Sequence, residues 1–110
     1  MSKGLMFVMS QPVAGMEDEY NDWYENHLPE VVNVPGISAA QRFVAVPGLG
    51  GQLPAQSYIA VYEFDDVDVA LDSLRKARDG LSSDMTPAFD LSNVVSYAYR
   101  AVGSRAESGE

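Results

Sequence analysis

The hydrophobic positions divide the chain into four short segments that favour β-strands and two longer segments that favour α-helices. Continuous apolar runs or two-residue alternation mark the strands, which are Leu5–Met9, Ile37–Val46, Ser57–Phe64 and Val94–Ala101. Apolar and aromatic residues three or four positions apart mark the helices, Met16–Leu28 and Val67 to about Asp79. The order strand, helix, strand, strand, helix, strand predicts the split βαβ, or ferredoxin-like, fold. The expected class is α+β, with both helices on one face of a four-stranded antiparallel sheet.

Both faces of this predicted sheet carry apolar residues. Leu5–Met9 suits a strand that is buried on both faces, and alternation in Ser57–Phe64 puts four large or apolar residues on one side: Tyr58, Ala60, Tyr62 and Phe64. In the second strand, Ile37 and Phe43 share one face and Arg42 lies on the other. Two helices cover only one face, so we expect a second copy of the chain to cover the other face. A monomer with a ligand on that face is the alternative.

Turn residues and acidic residues predict where the elements begin and end. Three acidic residues, Glu17 to Glu19, complement the positive end of the first helix dipole. Pro29 either ends that helix or starts a second turn at a kink, and Pro35-Gly36 stops it. Gly80 fits the position after the second helix, and Leu81–Ser92 reads as irregular.

The remaining segments predict loops. Pro47–Gln56 is rich in glycine and proline, and it is either a lid over a pocket or a flexible connector. Ser104–Glu110 has no apolar residue larger than alanine and is expected to be disordered. We therefore expect a single domain over residues 1–103, followed by a tail over residues 104–110.

Composition excludes several classes of function. The 110 residues include sixteen acidic and seven basic side chains, for a net charge of −9, which argues against a nucleic-acid partner. The absence of cysteine excludes disulfides, thiolate chemistry and cysteine-ligated metals. No apolar run is long enough to span a bilayer, and the first residues do not resemble a signal peptide, so we expect a cytoplasmic protein without a membrane partner.

The first helix contains the chain's single histidine, His27, and its single tryptophan, Trp23. They are four residues apart and share a helix face with Tyr20, while Tyr24 lies beside His27. An imidazole titrates near neutral pH, so His27 is the natural general acid or base if the protein does chemistry. The alternative is a packing histidine among aromatic neighbours.

The segment Trp23–Pro29 (WYENHLP), followed by Val34-Pro35-Gly36 and a strand with Arg42-Phe43, resembles the W-x-x-x-H-x-P…PG pattern of EthD-like dimeric α/β barrel proteins. Leu28 stands where the most typical EthD pattern has glycine. The resemblance implies a ferredoxin-like protomer, a homodimer whose sheets form a barrel, and one small-molecule pocket per protomer. Relatives include polyketide cyclases, muconolactone-isomerase-like enzymes, fungal dehydratases, cofactor-free monooxygenases and proteins with no assigned activity.

The resemblance implies a catalytic role for His27, which matches the family histidine. We expect a cofactor-free lyase, dehydratase, cyclase or isomerase that acts on a hydrophobic or aromatic carbonyl compound. The candidate catalytic residues are His27, Tyr24, Arg42 and Tyr62, with tyrosine or arginine donors on the developing oxyanion. The candidate substrate-binding residues are Trp23, Tyr20, Phe43, Tyr58, Tyr97 and Met6. A cofactor-independent oxygenase and a non-catalytic binding or accessory protein remain as alternatives.

Each candidate also has a structural interpretation. Tyrosines pack well in strands, and Arg42 could instead pair with one of the many carboxylates. Glu30 would meet His27 and fix its tautomer if the helix continues through Pro29; otherwise it is a surface carboxylate. A metal site formed by His27, Glu30 and a distant aspartate would be poor because the chain has no second histidine, so we expect no metal and no cofactor.

Overall fold

The computed structural model describes residues 2–82 and 85–109, and the side chains of residues 78–82 lie outside this description. Six elements follow one another along the chain: β1 (Gly4–Ser10), α1 (Glu17–Val31), β2 (Ile37–Val44), β3 (Tyr58–Phe64), α2 (Val67–Ser82) and β4 (Val95–Arg100). The four strands form one antiparallel sheet in the order β2-β3-β1-β4. This is the ferredoxin-like α+β arrangement predicted from the sequence.

The helices cover one face of the sheet, here called the helix face. The alternation predicted for β3 is confirmed, since Ala60, Tyr62 and Phe64 are buried on this face. Pairing brings Met6 opposite Tyr62 and Val8 opposite Ala60. Two tyrosines of α1 and the α2 residues Val67 and Ala70 complete the core between the sheet and the helices.

The other face, here called the open face, is covered by no helix or strand of the described chain. Its residues are Leu5, Phe7 and Met9 of β1, Ala39, Gln41 and Phe43 of β2, Ile59, Val61 and Glu63 of β3, and Val95, Tyr97 and Tyr99 of β4. Phe43, Tyr97 and Tyr99 are 48%, 60% and 56% exposed. β1 is therefore not buried on both faces within one chain, because the Leu5 face has no covering layer.

A bulge in β2 changes the faces predicted for that strand. Ile37 pairs with Phe64, whereas Ala39 pairs with Glu63, so the register shifts between them. Ile37 therefore lies on the helix face with Arg42, and not on the face of Phe43 as strict alternation predicted. The strand also ends at Val44, two residues before the predicted end.

Pro29 lies inside α1, which continues to Val31. Proline lacks an N–H and so removes one hydrogen bond of the last turn, but that turn is closed by Val32 N–H to Leu28 O at 3.1 Å and Val34 N–H to Val31 O at 2.9 Å. Gly36 then adopts φ +92°, a conformation that favours glycine, in the turn directly before β2.

The predicted end of α2 was placed too early. The helix continues through Gly80 to Ser82, and one glycine lowers helical propensity by only about 1 kcal/mol. Part of the predicted irregular segment, residues 83 and 84, lies outside the described residues. Residues 101–109 are exposed and contain no helix or strand. No helix among the described residues is long and apolar enough to cross a bilayer.

Candidate functional site

The tyrosines of α1 face the sheet because they are spaced by one helical turn. Tyr20 is fully buried and Tyr24 nearly so, and their rings meet edge to face with centroids 5.2 Å apart. Acidic residues in the first turn, Glu17 to Glu19, suit the N-terminus of the helix, and Glu17 accepts a 3.2 Å hydrogen bond from Gly15 N–H. The helix thus presents two phenols to the sheet.

His27 is half-buried at the edge of this aromatic surface. Its imidazole stacks on the Trp23 indole with ring centroids 4.2 Å apart and an angle of 17° between the planes. The Tyr24 ring meets the imidazole edge-on at 6.0 Å. Phe89, from the segment before β4, supports the group by packing against Trp23 at 5.9 Å. The stack holds the plane of the imidazole in a fixed orientation beside Tyr24.

Arg42 reaches the same group from β2. Its guanidinium carbon lies 4.4 Å from the Tyr24 ring centroid, 5.0 Å from that of Tyr58 and 5.4 Å from that of Tyr20. These distances are within the range of cation–π attraction. Arg42 Nη2 donates a 2.8 Å hydrogen bond to Asn21 Oδ1, whereas the buried Nε makes no hydrogen bond to the described residues.

The buried phenols keep their protons well beyond neutral pH. Burial raises the pKa of Tyr24 to about 12, although the hydroxyl of Ser10 and the charge of Arg42 act in the opposite direction. Burial also raises the pKa of Tyr62 and of Tyr20 above the ordinary phenol value. At neutral pH these hydroxyls are therefore hydrogen-bond donors and acceptors, and they do not act as bases.

The structure brings most of the predicted site residues together on the helix face. His27, Trp23 and Tyr24 form one contact group, which extends through Tyr24 to Tyr20, Arg42 and Tyr58. Met6 pairs with Tyr62 on the neighbouring strand, and both side chains lie on this face and pack within the core. Phe43 and Tyr97 lie on the open face, so within one chain the sheet separates them from His27.

Three further residues of the group were not identified from the sequence. Ser10 is buried, with its Oγ 2.6 Å from the Tyr20 hydroxyl, and its position in the alternation Met6, Val8, Ser10 was a usable signal. Asn21 precedes Tyr24 by three residues, a spacing that places the two side chains on neighbouring parts of one helix face. Phe89 lies in an irregular segment where no periodicity indicates its burial.

Neither of two cavities formed by described residues is lined by His27 or Arg42. The larger, of about 660 Å³, lies on the open face and includes Phe43, Val61 and Tyr99 in its lining. The smaller, of about 190 Å³, lies beside the β2–β3 connection and includes Val44, Gln56 and Tyr58. Gln56 ends that connection and donates a 2.7 Å hydrogen bond to Asn93. The role of Pro47–Gln56 as a lid stays a prediction.

The predicted contact between Glu30 and His27 also stays a prediction. The first helix does continue through Pro29, which satisfies the condition for that contact, and Glu30 is exposed. Among the residues that the structure describes, no group of three or more histidine, cysteine, aspartate or glutamate side chains could hold a metal ion.

Comparison with known proteins gives structural matches at low sequence identity. No family model and no curated protein matches the chain. An EthD-like protein from Ralstonia eutropha JMP134 superposes with a TM-score of 0.71 at 15% identity, over 96% of this chain and 97% of that one. A candidate monooxygenase from Shewanella loihica PV-4 gives a TM-score of 0.67 at 15% identity, over 94% and 99%. The heme degrader MhuD from Mycobacterium tuberculosis, with two hemes bound in its active site, gives 0.62 at 14% identity, over 94% and 99%.

These matches confirm the fold that the W-x-x-x-H-x-P…PG resemblance implied. The chain has the ferredoxin-like fold that EthD-like proteins share, and the match extends over nearly its whole length. Proteins of this fold include a candidate monooxygenase and a heme degrader, so the fold itself is compatible with enzymes that act on small molecules.

Proposed function

We propose that this protein is a cofactor-free acid–base enzyme, with His27 as the general acid or base, that acts on a hydrophobic or aromatic carbonyl compound. The observation that carries the proposal is the position of Tyr24 between two polar groups of different kinds. Its ring lies 6.0 Å from the imidazole of His27 and 4.4 Å from the guanidinium carbon of Arg42. A proton carrier, a hydrogen-bond donor and a cation are thus assembled on one face of the sheet.

The raised phenol pKa values divide the roles among these groups. Tyr24 keeps its proton at neutral pH, so it suits donation to a carbonyl oxygen and not removal of a proton from carbon. The imidazole is then the group that takes a proton from the carbon beside the carbonyl, or gives one to a leaving hydroxyl. Donors aimed at the developing oxyanion would stabilise the enolate that results.

The rings around these groups favour an aromatic or hydrophobic substrate. Trp23, Phe89, Tyr20 and Tyr58 are within contact distance of the group, so a flat apolar molecule would find stacking partners on entry. The two cavities described above lie elsewhere.

We also propose that the protein functions as a homodimer. Phe43, Tyr97 and Tyr99 expose roughly half or more of their surface on the open face, together with Leu5. Exposed aromatic residues on a sheet face that no helix covers are typical of an interface. A second copy packed sheet against sheet would bury it.

The proposed function is tested by native mass spectrometry of the protein purified from its own host, followed by assay of the molecule that it carries. We expect a dimer with an aromatic or polycyclic carbonyl compound, and turnover that is lost in His27→Ala while binding and folding are kept. Turnover retained in His27→Ala would refute the role of His27. Binding without turnover, in wild type and variant alike, would indicate a non-catalytic binding protein.

A cofactor-independent monooxygenase is the second candidate, because a candidate monooxygenase shares the fold over 94% of this chain. The two candidates differ in their need for oxygen. An acid–base enzyme forms product at the same rate in air and under argon, whereas an oxygenase forms none once dissolved oxygen is removed.

A further inference from the structure

Arg42 is a half-buried cation that forms no ion pair with the described residues, although the chain contains more than twice as many acidic as basic residues. The ion pairs among the described residues are Lys76–Asp72 and Arg100–Asp68, and both lie at the surface. A partly buried charge without a counter-ion is costly unless other groups stabilise it. Arg42 must therefore be stabilised by something other than a carboxylate of the described chain.

The tyrosine rings provide only part of that stabilisation. Three of them lie 4.4–5.4 Å from the guanidinium carbon, where cation–π attraction acts. The N–H groups of a guanidinium point outward in its plane and require acceptors there. Nη2 has Asn21 Oδ1 as its acceptor, but Nε is buried and lacks one among the described residues.

The Nε–H of Arg42 can therefore donate to an acceptor that the described chain does not supply. Buried polar atoms in proteins are almost always hydrogen-bonded, and an exception indicates a ligand, ion or water that completes the site. The edge formed by Nε and a terminal nitrogen of arginine matches the two oxygens of a carboxylate, which accepts both hydrogen bonds at once. The aromatic surroundings suit an acid whose carboxylate is attached to a ring.

We propose that Arg42 binds a carboxylate of the substrate, so that the substrate class is an aromatic or polycyclic carboxylic acid. This inference rests on the proposed function, because it assigns the substrate of the same site. Substrate binding and proton transfer would then be carried out by residues of two different elements. Arg42 of β2 holds the acid group, and His27 of α1 acts on the carbonyl part of the molecule. Tyr24, in contact with both, lies where the two parts of such a molecule would meet.

The experiment compares acids with their neutral counterparts in a calorimetric binding assay. A panel of aromatic carboxylates, such as 2-naphthoate and polycyclic analogues, is titrated beside the primary amides of the same ring systems. The amides keep the shape and lose the charge. We expect wild type to bind at least one acid about 10- to 100-fold more tightly than its amide, as for a charge-assisted pair.

Three variants show whether Arg42 causes this preference. Arg42→Gln should bind acid and amide equally, Arg42→Lys should keep part of the preference, and His27→Gln should keep all of it. Loss of the preference in Arg42→Gln alone supports the site even if His27 proves not to be catalytic, which separates the two proposals. An equal preference in wild type and Arg42→Gln, or no preference in any pair, would overturn it.

A measurement on wild type alone covers the case in which Arg42→Gln does not fold. Affinity for the acid should fall as salt concentration rises, while affinity for the amide should stay unchanged, because salt screens a charge–charge interaction. The same salt dependence for both members of every pair would contradict a carboxylate site.

Discussion

Gly36 offers a test of how α2 packs against the sheet. It lies in the turn directly before β2 with φ +92°, and its backbone approaches α2 closely. A Cβ placed on Gly36 would lie 2.5 Å from Ala70 N and 2.8 Å from Ala70 Cα. Both atoms belong to the backbone of a buried helical turn, so neither can move aside as a flexible side chain would. Gly36→Ala should therefore force the helix and the strand apart.

Two contributions give the expected magnitude. A non-glycine residue in the left-handed conformation costs about 1–2 kcal/mol. Forcing an extra carbon into a packed region costs about 1–3 kcal/mol. Their sum of about 2–5 kcal/mol is a large share of the roughly 5–15 kcal/mol that stabilises an ordinary domain.

Gly15 provides a matched control. It also has a positive φ, +84°, but an added Cβ there has no atom within 4 Å. Gly15→Ala therefore carries the conformational cost alone, about 1–2 kcal/mol. The difference between the two variants isolates the contact with Ala70.

The assay is urea unfolding followed by circular dichroism, with the midpoint compared at constant slope. Gly36→Ala should lower the midpoint by on the order of 1–3 M, and Gly15→Ala by roughly a quarter to two thirds as much. Equal shifts in the two variants would refute the close approach of α2 to β2.

Three further predictions concern the site and the open face. Burial raises the pKa of Tyr24 in the folded protein, so the stability that its protonated phenol contributes is present below about pH 10 and is lost as the pH rises towards 12. Tyr24→Phe should therefore flatten the fall in the urea midpoint over that interval. Phe43→Glu should dissociate the proposed dimer in sedimentation velocity, whereas Leu49→Glu, on a fully exposed loop residue, should leave it intact; dissociation by both or by neither would contradict the interface. Phe89→Ala should cost about 3–5 kcal/mol in urea unfolding and change the fluorescence of Trp23, and an unchanged spectrum would contradict the contact.

The sequence predicts correctly which face each residue lies on where the periodicity of an element is strong. In β3, Tyr58, Ala60, Tyr62 and Phe64 lie on one face as alternation required, because a strand's side chains alternate without exception where no bulge intervenes. In β2, one extra residue between Ile37 and Ala39 reverses the face of Ile37, and the sequence carries no local sign of it.

In the candidate site too, the sequence predicts contacts within one helix but not contacts between elements. Helical spacing correctly brought Trp23, Tyr24 and His27 together, since residues three and four apart are neighbours on any helix. The position of Arg42 over the tyrosine rings depends on strand pairing and on how α1 docks, so the spacing of residues along the chain does not indicate it. The separation of Phe43 and Tyr97 from His27 has the same origin, because the sheet stands between them.

The central claim, that His27 moves a proton, is tested most directly by deuterium uptake from heavy water. Wild type and His27→Gln are incubated with a panel of aromatic carbonyl compounds, and exchange at the carbon beside the carbonyl is followed by NMR. We expect enzyme-catalysed exchange in wild type for at least one compound, reduced about 10²- to 10⁴-fold in His27→Gln. Equal exchange in both proteins, or none in wild type with any compound, would contradict it.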